Sequence, residues 1–285
     1  MALQTAVRSK KLTAKQYTLS YEDKTLIMGI LNVTPDSFSD GGKYNSIDRA
    51  VIHAKQMIED GAHILDIGGE STRPGAEKVS LDEELSRVIP VIEKLVQEID
   101  VPISVDTYKA KVADEALKAG ATIINDVWGA KADPDMARVA AAHNVPIILM
   151  HNREERNYKD LIPDMLSDLM ECVSIAKSAG VQDHHIVLDP GIGFAKTYHD
   201  NLAVMNQLEK FSELGYPVLL GTSRKKFIGR VLDLPPEERA EGTGATVCLG
   251  IQKGCDIVRV HDVKQISRMA KMMDAMIDKG GVYHR

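Results

Sequence analysis

Short apolar segments recur along the whole chain, and polar or turn-forming residues close each of them. Eight of these segments have the length and composition of fully buried strands. They are residues 25–31, 63–68, 102–106, 122–127, 146–150, 185–189, 217–221 and 255–261. The segments between them carry apolar residues at helical spacing, and several end in glycine just before the next strand, at Gly61, Gly120, Gly180 and Gly254. Glycine in that position is typical of a helix C-terminus.

Strands that are apolar along their whole length and alternate with helices indicate a parallel sheet covered by helices. Eight such units over roughly 250 residues predict an α/β fold with one closed (β/α)8 TIM barrel. An open doubly wound sheet would more often carry a G-x-G-x-x-G turn after its first strand, and the sequence has none there. We expect residues 1–24 to be a short N-terminal extension with a hairpin over one end of the fold. Residues 25–285 would form a single catalytic domain.

The composition of the chain argues against nucleic-acid-binding, membrane and secreted proteins. The chain has 285 residues, of which 44% are hydrophobic and 27% charged, as in soluble globular proteins. A net charge of −6 argues against a nucleic-acid partner. The sequence has neither an apolar stretch of membrane-spanning length nor the apolar core of a signal peptide. Its three cysteines, Cys172, Cys248 and Cys255, lie in no metal-like spacing and indicate buried thiols in a reducing compartment. We therefore expect a cytoplasmic protein.

Polar groups stand where the apolar segments end. In a barrel of this type the carboxyl ends of the strands carry the active site. The groups at those ends are Asn32, the loop GGESTRPG after Ile67, Asp106, Asn125, Met150 with His151, Asp189, the segment GTSRK (221–225), and Arg259 with His261. A helix cap or a turn explains any one of them, and residues 32–37 also suit an ordinary helix start. Eight at one rim indicate a functional site.

Two of these groups suggest an anionic ligand. Arg259 and His261 are two apart on a strand and project to the same side. An arginine entering a buried strand requires either an anion or a salt bridge to one of the many acids, and both remain open. The segment GTSRK follows the seventh strand, near where barrels often bind phosphate. Arg73, on the glycine-flanked loop after the second strand, could close over a charged ligand.

Asp106, Asn125 and Asp189 indicate a second part of the ligand. Buried carboxylates and amides inside an apolar cup suit a flat heterocycle that is rich in N–H donors. General acid–base chemistry or metal binding are alternative roles for the two acids.

Two other motifs do not indicate a binding site. PGIGFAKT (190–197) has proline and alanine where a P-loop requires glycine, and His184 and His185 are adjacent and poorly placed to bind one metal.

Seven motifs, taken together and in order, resemble the dihydropteroate synthase family of the bacterial folate pathway, and most of all its Bacillus-type members. They are ILNVTPDSFSDGG (30–42), DIGGESTRPGA (66–76), ISVDTYKA, IINDVWGA, LDPGIGFAKT, GTSRK and VRVHD. The similarity runs from about Leu26 to Ile277. It implies a transferase that joins (7,8-dihydropterin-6-yl)methyl diphosphate to 4-aminobenzoate and releases 7,8-dihydropteroate and diphosphate. It also implies Mg²⁺ as cofactor, small-molecule substrates as partners, and a homodimer.

The resemblance implies roles for the residues at matching positions. The pterin would be bound by Asp106, Asn125, Val127, Met150, Asp189, Phe194, Gly221 and Lys225. The diphosphate would be held by Asn32, Thr72, Arg73, Arg259 and His261, with Asn32 also touching the magnesium ion. The aminobenzoate, whose position sulfonamide drugs imitate, would lie among Phe38, Pro74, Phe194, Lys225 and Lys226. The catalytic residues would be Arg73, Asp40, Lys225, Arg259 and His261.

The implied mechanism needs no nucleophilic side chain. Diphosphate would leave once its charge is neutralised, a cation would form at the pterin methylene, and the arylamine would attack it. Asp40 or Asp36 on the first loop would stabilise the cation. Position 226 is lysine here and often serine in relatives, so either its backbone N–H or its side chain would meet the substrate carboxylate.

Two competing interpretations remain. A pterin-binding methyltransferase shares this barrel and the Asp/Asn/Asp pocket, but it has no need for Arg73 or for Arg259 and His261. A non-catalytic pterin-binding protein would keep the cup and lose the two loops, and both loops are present here.

Overall fold

The computed structural model describes residues 10–34, 42–71 and 78–281. A two-stranded hairpin comes first, and eight strands alternating with helices follow it. The strands are β1 Lys11–Ala14, β2 Tyr17–Ser20, β3 Leu26–Asn32, β4 Ile64–Gly68, β5 Ile103–Asp106, β6 Ile123–Asp126, β7 Ile147–Met150, β8 Ile186–Asp189, β9 Leu219–Leu220 and β10 Ile257–Val260. The helices are α1 Gly42–Glu59, α2 Leu81–Leu95, α3 Ala110–Ala119, α4 Met136–His143, α5 Leu161–Ser178, α6 Tyr198–Asn206, α7 Glu209–Ser212, α8 Lys226–Leu232, α9 Ala240–Gln252 and α10 Val263–Met276.

Strands β3 to β10 form one parallel barrel. Their order in the sheet is β8-β7-β6-β5-β4-β3-β10-β9. The two ends of this order meet at a parallel bridge between Leu188 of β8 and Val218, which directly precedes β9. The backbone N–H of Leu188 also donates to the carbonyl of Pro217 at 2.9 Å. The prediction of a (β/α)8 barrel is therefore confirmed, although β9 is shorter than the predicted segment 217–221.

Alternation along the strands creates two cores. Residues such as Ile27, Leu65 and Ile124 face outwards and pack against the helices. Residues such as Met28, Ile64 and Ile148 face the inside of the barrel and form a second apolar cluster. Because neighbouring side chains of a strand point to opposite faces, three polar residues that follow inner apolar residues by two positions also face inwards. They are Asp66 after Ile64, Asn125 after Ile123 and Asp189 after Val187. The inside of the barrel is thus apolar towards the amino ends of the strands and polar at their carboxyl ends.

The N-terminal hairpin closes the other end of the barrel. Strands β1 and β2 pair antiparallel, and Leu12 and Ala14 are buried in the inner apolar cluster. The ammonium group of Lys15 donates to the carbonyls of Leu117 and Ala121, at 3.1 and 3.0 Å. These contacts confirm the predicted hairpin and anchor it at the amino-terminal side of the strands.

Local sequence signals account for several helix ends. Thr197 caps α6 in a reciprocal capping box with Asp200. All four glycines that the sequence places at helix C-termini have positive φ angles, from 91° to 120°. That conformation suits glycine because it has no Cβ. None of the helices in the described ranges is long and apolar enough to span a bilayer.

Candidate active site

Five polar residues from five strands form a layer inside the carboxyl end of the barrel. Four of them are almost fully buried: Asp66 of β4 with 0% of its surface exposed, Asp106 of β5 with 4%, Asn125 of β6 with 4% and Asp189 of β8 with 5%. Arg259 of β10 enters the same layer and is partly exposed. The sequence predicted four of these residues. Asp66 was not predicted.

Arg259 is bound by two carboxylates. Its Nε donates to Asp66 Oδ2 at 2.5 Å, and one of its terminal nitrogens donates to Asp106 Oδ2 at 2.6 Å. Of the two partners left open by the sequence, the structure shows a salt bridge to acids. Burial opposes the charge of the guanidinium, but Asp66 and Asp106 outweigh it and raise the pKa of Arg259. The cation is therefore permanent in this layer.

Asp106 and Asn125 lie on neighbouring strands and are paired in register. Burial raises the pKa of the Asp106 carboxyl to about 7, against the opposing effect of Arg259 and with a further rise from Asp66. The Asn125 amide donates from Nδ2 to Asp66 Oδ2 at 3.0 Å. Both residues thus lie in one hydrogen-bonded group with Arg259, as their shared position at the strand ends predicts.

Asp189 and Lys225 form the opposite side of the layer. Asp189 Oδ1 accepts the backbone N–H of Gly191 at 2.7 Å, and burial raises the pKa of the Asp189 carboxyl while Lys225 lowers it. Burial in turn lowers the pKa of the Lys225 ammonium to about 8, although Asp189 opposes this shift. A Cβ placed on Gly221 would lie 3.7 Å from Asp189 Oδ2 and 4.0 Å from Lys225 Nζ, so Gly221 lies beside both.

The apolar members of the site surround this layer. Val127 and Met150 are buried at the ends of their strands, with 6% and 3% of their surface exposed. Lys225 lies 4.8 Å from the centroid of the Phe194 ring and donates to the carbonyl of Ile192, so lysine and ring pack together. Val127 and Phe194 also line an open cavity of about 1290 Å³. The rest of the cavity lining is mostly polar or charged, so Val127 and Phe194 supply an apolar part of it that suits a planar heterocycle.

The other described residues predicted to bind an anion lie at the rim of the polar layer and not within it. His261 follows β10, and its Nδ1 lies 2.9 Å from Ser223 Oγ. Asn32 ends β3 and is partly exposed. A Cβ on Gly68 would lie 3.8 Å from Asn32 Oδ1 and 3.6 Å from Asp106 Oδ2, which places Asn32 close to the polar layer. Arg224, in the segment predicted to lie near a phosphate, forms a two-point ion pair with Asp262 instead.

Lys226 is exposed at the first position of α8. Its backbone N–H is among those at a helix start that find no carbonyl within the helix. Six further residues of the two signature loops, Asp36, Phe38, Asp40, Thr72, Arg73 and Pro74, lie outside the described residues.

A hydrogen-bonded chain supports the loop after β8. The buried Lys196 ammonium lies 3.0 Å from His151 Nδ1 and donates to the carbonyls of Gly191 and Phe194, each at 2.9 Å. His151 Nε2 lies 3.0 Å from Asp168, which also pairs with Arg153. Burial lowers the pKa of Lys196 to about 7. Lys196 was not among the predicted site residues, because a lysine after a glycine-rich turn is usually exposed at the surface.

One oxygen ligand in the site suits a magnesium ion. The amide oxygen of Asn32 is a hard donor of the kind Mg²⁺ prefers, and this ion usually takes the rest of its ligands from water and substrate phosphates. Within the described ranges no three His, Cys, Asp or Glu side chains are arranged to hold a metal. Asn32 therefore fits a metal held mainly by a phosphate ligand.

Comparison with known proteins gives one consistent family. Residues 28–261 match the family described as pterin binding enzyme. The dihydropteroate synthase of Bacillus subtilis strain 168 is 78% identical over 284 residues, which cover 100% of both chains. A Clostridium difficile dihydropteroate synthase, solved in the presence of pteroic acid, is 54% identical with a TM-score of 0.89, covering 90% of this chain and 98% of that one. The Xanthomonas albilineans enzyme, solved with 4-aminobenzoic acid, is 42% identical with a TM-score of 0.90, covering 95% and 99%.

Proposed function

The chain belongs to the pterin-binding enzyme family, and we infer from this membership that it is a transferase acting on a dihydropterin. It joins (7,8-dihydropterin-6-yl)methyl diphosphate to 4-aminobenzoate and releases 7,8-dihydropteroate and diphosphate. The observation that carries this conclusion is the 78% identity over the full length with a dihydropteroate synthase. The methyltransferase and the non-catalytic interpretations lose support, because the relatives that match the whole chain are named as synthases.

The polar layer would bind the pterin edge. Asp106, Asn125 and Asp189 offer carbonyl and carboxylate oxygens to the N–H groups of the heterocycle, and Lys225 offers a donor to its carbonyl oxygen. Gly221 leaves room beside Asp189 and Lys225, since a side chain there would contact both. Val127, Met150 and Phe194 would pack against the faces of the ring. The burial of these groups supports the assignment, because substrate donors would complete hydrogen bonds in a site closed to water.

The diphosphate would lie on the side of Arg259. Arg259 and His261 would bind its oxygens, and Thr72 and Arg73 would reach it from the second loop. Asn32 would hold a magnesium ion together with the diphosphate. Such an ion neutralises the leaving group when it is bound. These roles are supported by the permanent charge of Arg259 and by the place of Asn32 at the same rim.

The aminobenzoate would approach the pterin methylene from the open cavity. Phe194 lines this cavity and packs on Lys225. Lys226 would meet the substrate carboxylate, with either its free backbone N–H or its exposed ammonium group. Phe38 and Pro74 would complete the pocket from the two loops.

Catalysis would rest on charge stabilisation and positioning. The bond between the methylene carbon and the diphosphate oxygen breaks first, and its electron pair leaves with the diphosphate. Arg73, Arg259 and His261 stabilise that departing charge. The cation left at the methylene is delocalised into the pterin ring, and Asp40 or Asp36 would stabilise it. The neutral amine of aminobenzoate then forms the new C–N bond, and its extra proton passes to water or to the diphosphate.

The proposed assembly and location rest on surface composition and on the cysteines. Met272 and Met276 of α10 are 59% and 60% exposed, and Val231 of α8 is 57% exposed. Such apolar surface favours a homodimer through these helices. The three cysteines are free thiols, as expected in the cytoplasm. We also retain the division into an extension, residues 1–24, and a catalytic domain, residues 25–285.

Product analysis tests the proposed function. Purified protein is incubated with the dihydropterin diphosphate, 4-aminobenzoate and Mg²⁺, and a parallel sample receives a methylated tetrahydrofolate and a nucleophilic methyl acceptor instead. We expect dihydropteroate in the first sample, identified by mass spectrometry, and no demethylation in the second. The variant Asp189→Asn should lose product formation, whereas the exposed Asp135→Asn should keep it. Demethylation without dihydropteroate would reverse the assignment in favour of a methyltransferase.

A further inference from the structure

Asp66 occupies the middle of β4, inside the barrel, and its surface is completely buried. A carboxylate in such a place is costly unless it is paired and hydrogen-bonded. None of the substrate contacts proposed above involves Asp66. Its position in the polar layer therefore requires an explanation of its own.

A single oxygen of Asp66 connects two residues of the proposed site. Asp66 Oδ2 accepts from Asn125 Nδ2 at 3.0 Å and from Arg259 Nε at 2.5 Å. The other oxygen, Oδ1, is buried and has no hydrogen-bond partner among the described residues. Asn125 comes from β6 and Arg259 from β10, on opposite sides of β4 in the sheet order. Asp66 thus links the pterin-binding amide to the anion-binding guanidinium.

The bond to Asp66 decides how Asn125 is presented. A side-chain amide carries one NH₂ group and one oxygen, and the two are interchanged by a rotation of 180°. Because the NH₂ group donates to Asp66, the oxygen is turned away from Asp66. Asn125 therefore offers the substrate an acceptor. Without Asp66 the amide could present either group, and an N–H donor of the substrate would lose a fixed partner.

Asp66 acts in the same way on Arg259. The guanidinium is held at Nε by Asp66 and at a terminal nitrogen by Asp106. Two anchors at different nitrogens fix the orientation of a planar group, which a single anchor does not. If a pterin N–H group takes over Asp106, Asp66 still holds Nε, so the remaining guanidinium donors stay directed at the anion side.

We propose that Asp66 is a positioning residue that orients Asn125 as an acceptor for the pterin and keeps Arg259 in place when substrate binds. The proposal rests on the proposed function, because it concerns the same site. In this role Asp66 acts through the two residues to which it is hydrogen-bonded.

The variant Asp66→Asn tests this role with almost no change in volume. It removes the charge that binds Arg259 and loosens the amide of Asn125. We expect kcat/KM for the dihydropterin diphosphate to fall about tenfold to a hundredfold, the effect of losing one hydrogen bond to a charged group. The KM for 4-aminobenzoate should stay unchanged. A merely structural role would affect both substrates or neither.

The pH dependence of pterin binding is a second test of the role of Asp66. The charged groups that act electrostatically on Asp106 are Arg259 of β10, Asp66 of β4, Glu84 of α2 and Asp126 of β6, and Lys225 interacts with it as well. Asp66 raises the pKa of the Asp106 carboxyl, so removing its charge should lower that pKa. Pterin binding needs the ionised carboxylate for an N–H donor, and its pH midpoint should therefore move to lower pH in Asp66→Asn.

Ser104→Ala is the matched control. Ser104 is buried on β5, lies opposite Asp66 in register, carries no charge and makes no side-chain hydrogen bond in the described structure. We expect wild-type kinetics and an unchanged pH midpoint for it. A loss in Ser104→Ala equal to that in Asp66→Asn would overturn the proposal. So would wild-type kcat/KM and pH midpoint in a folded Asp66→Asn protein.

A measurement on the wild-type protein covers the case in which Asp66→Asn does not fold. In ¹⁵N-labelled protein, the Nε–H of Arg259 and an NH₂ proton of Asn125 should exchange slowly with water, both before and after addition of a pterin. Rapid exchange of both would overturn the proposal.

Wild-type dihydropteroate formation is recorded in the same experiments. If it is absent the proposed function fails, and if it is present while Asp66→Asn equals wild type, only the role of Asp66 fails.

Discussion

A terminal nitrogen of Arg259 lies 2.6 Å from Asp106 Oδ2, and this ion pair joins β10 to β5 across the inside of the barrel. Under the proposed function, Asp106 would bind the pterin and Arg259 would bind the diphosphate. A substrate that brings both N–H donors and negative charge can pair with each of them. We therefore expect substrate binding to exchange one internal ion pair for two substrate contacts.

Replacing Arg259 should reduce both stability and turnover. Arg259→Met leaves Asp66 and Asp106 buried without a cation, which should lower the free energy of unfolding by about 3–5 kcal/mol. Arg259→Lys keeps the charge, so most of the stability should remain. Its kcat should still fall on the order of a hundredfold, since it loses the planar group that binds the departing diphosphate.

Urea unfolding and steady-state kinetics measure these two effects separately. The control is Arg138→Met, because Arg138 belongs to an exposed ion pair with Asp135. That change should alter the free energy of unfolding by less than about 0.5 kcal/mol. Wild-type turnover in Arg259→Lys would contradict the role given to Arg259.

Asp106 should make stability depend on pH in a defined direction. Its carboxyl has a pKa of about 7 in the folded protein, above the usual value near 3.8. Between these two pH values the folded state binds a proton that the unfolded state has lost, so stability falls as pH rises from about 4 to about 7. In Asp106→Asn this contribution is absent. The Tm of the variant relative to wild type should therefore rise from pH 5 to pH 7 and become flat above pH 8.

Thermal unfolding at a series of pH values checks this expectation. Other carboxylates affect both proteins equally, so only the difference between the two Tm curves is informative. A difference that is independent of pH, or that falls towards pH 7, would show that Asp106 is already ionised in the acid range.

Gly191 should not tolerate a side chain. It has a φ of +65°, and an added Cβ would lie 2.0 Å from the carbonyl oxygen of His151. Gly191→Ala must therefore displace the loop whose N–H binds Asp189. We expect a loss of about 3 kcal/mol or more in unfolding free energy and weaker pterin binding.

Gly215→Ala is the control for backbone strain alone. Gly215 has a φ of +79°, but an added Cβ there would meet no atom of the described residues within 4 Å, its two chain neighbours apart. It should lose only about 1 kcal/mol and keep its pterin affinity, as measured by calorimetry. Equal effects in both variants would argue against the steric conflict at His151.

The N-terminal hairpin should stabilise the barrel without taking part in catalysis. Leu12 is 1% exposed and belongs to the inner apolar cluster. Leu12→Ala should cost about 2–5 kcal/mol, whereas kcat at a temperature where the protein is folded should not change. Leu202→Ala, at a site that is 37% exposed, should change stability by less than about 0.5 kcal/mol. Unfolding curves that coincide for wild type and Leu12→Ala would exclude a closing role for the hairpin.

Much of the fold was predictable because strands that are buried on both faces have a recognisable sequence pattern. A strand enclosed by helices on one face and by the barrel interior on the other is apolar throughout, and helix-ending glycines mark its approach. The least accurate strand prediction was β9, where only Leu219 and Leu220 of the predicted segment 217–221 form the strand. Pairing there depends on the curvature with which the barrel closes, which local composition does not encode.

The partners of charged residues were harder to predict. Arg259 and Asp66 are separated by 193 positions, and only the closed barrel brings them together. Asp66 did carry a signal, since it is an acid in the middle of an apolar strand and therefore needs a partner. Its position in the middle of the strand, and not at the carboxyl end, separates it from the other site residues. The partner of Arg224 was equally hard to predict. The segment 221–225 was expected near a phosphate, and within it Arg224 has a φ of +57° and pairs with Asp262.

The central claim is tested most directly by diphosphate release. Purified protein receives the dihydropterin diphosphate and Mg²⁺, with and without 4-aminobenzoate, and the released diphosphate is measured over time. We expect release to rise with the aminobenzoate concentration and to match the dihydropteroate formed. Pterin binding without any aminobenzoate-dependent release or product would contradict the assignment of this chain as the condensing enzyme.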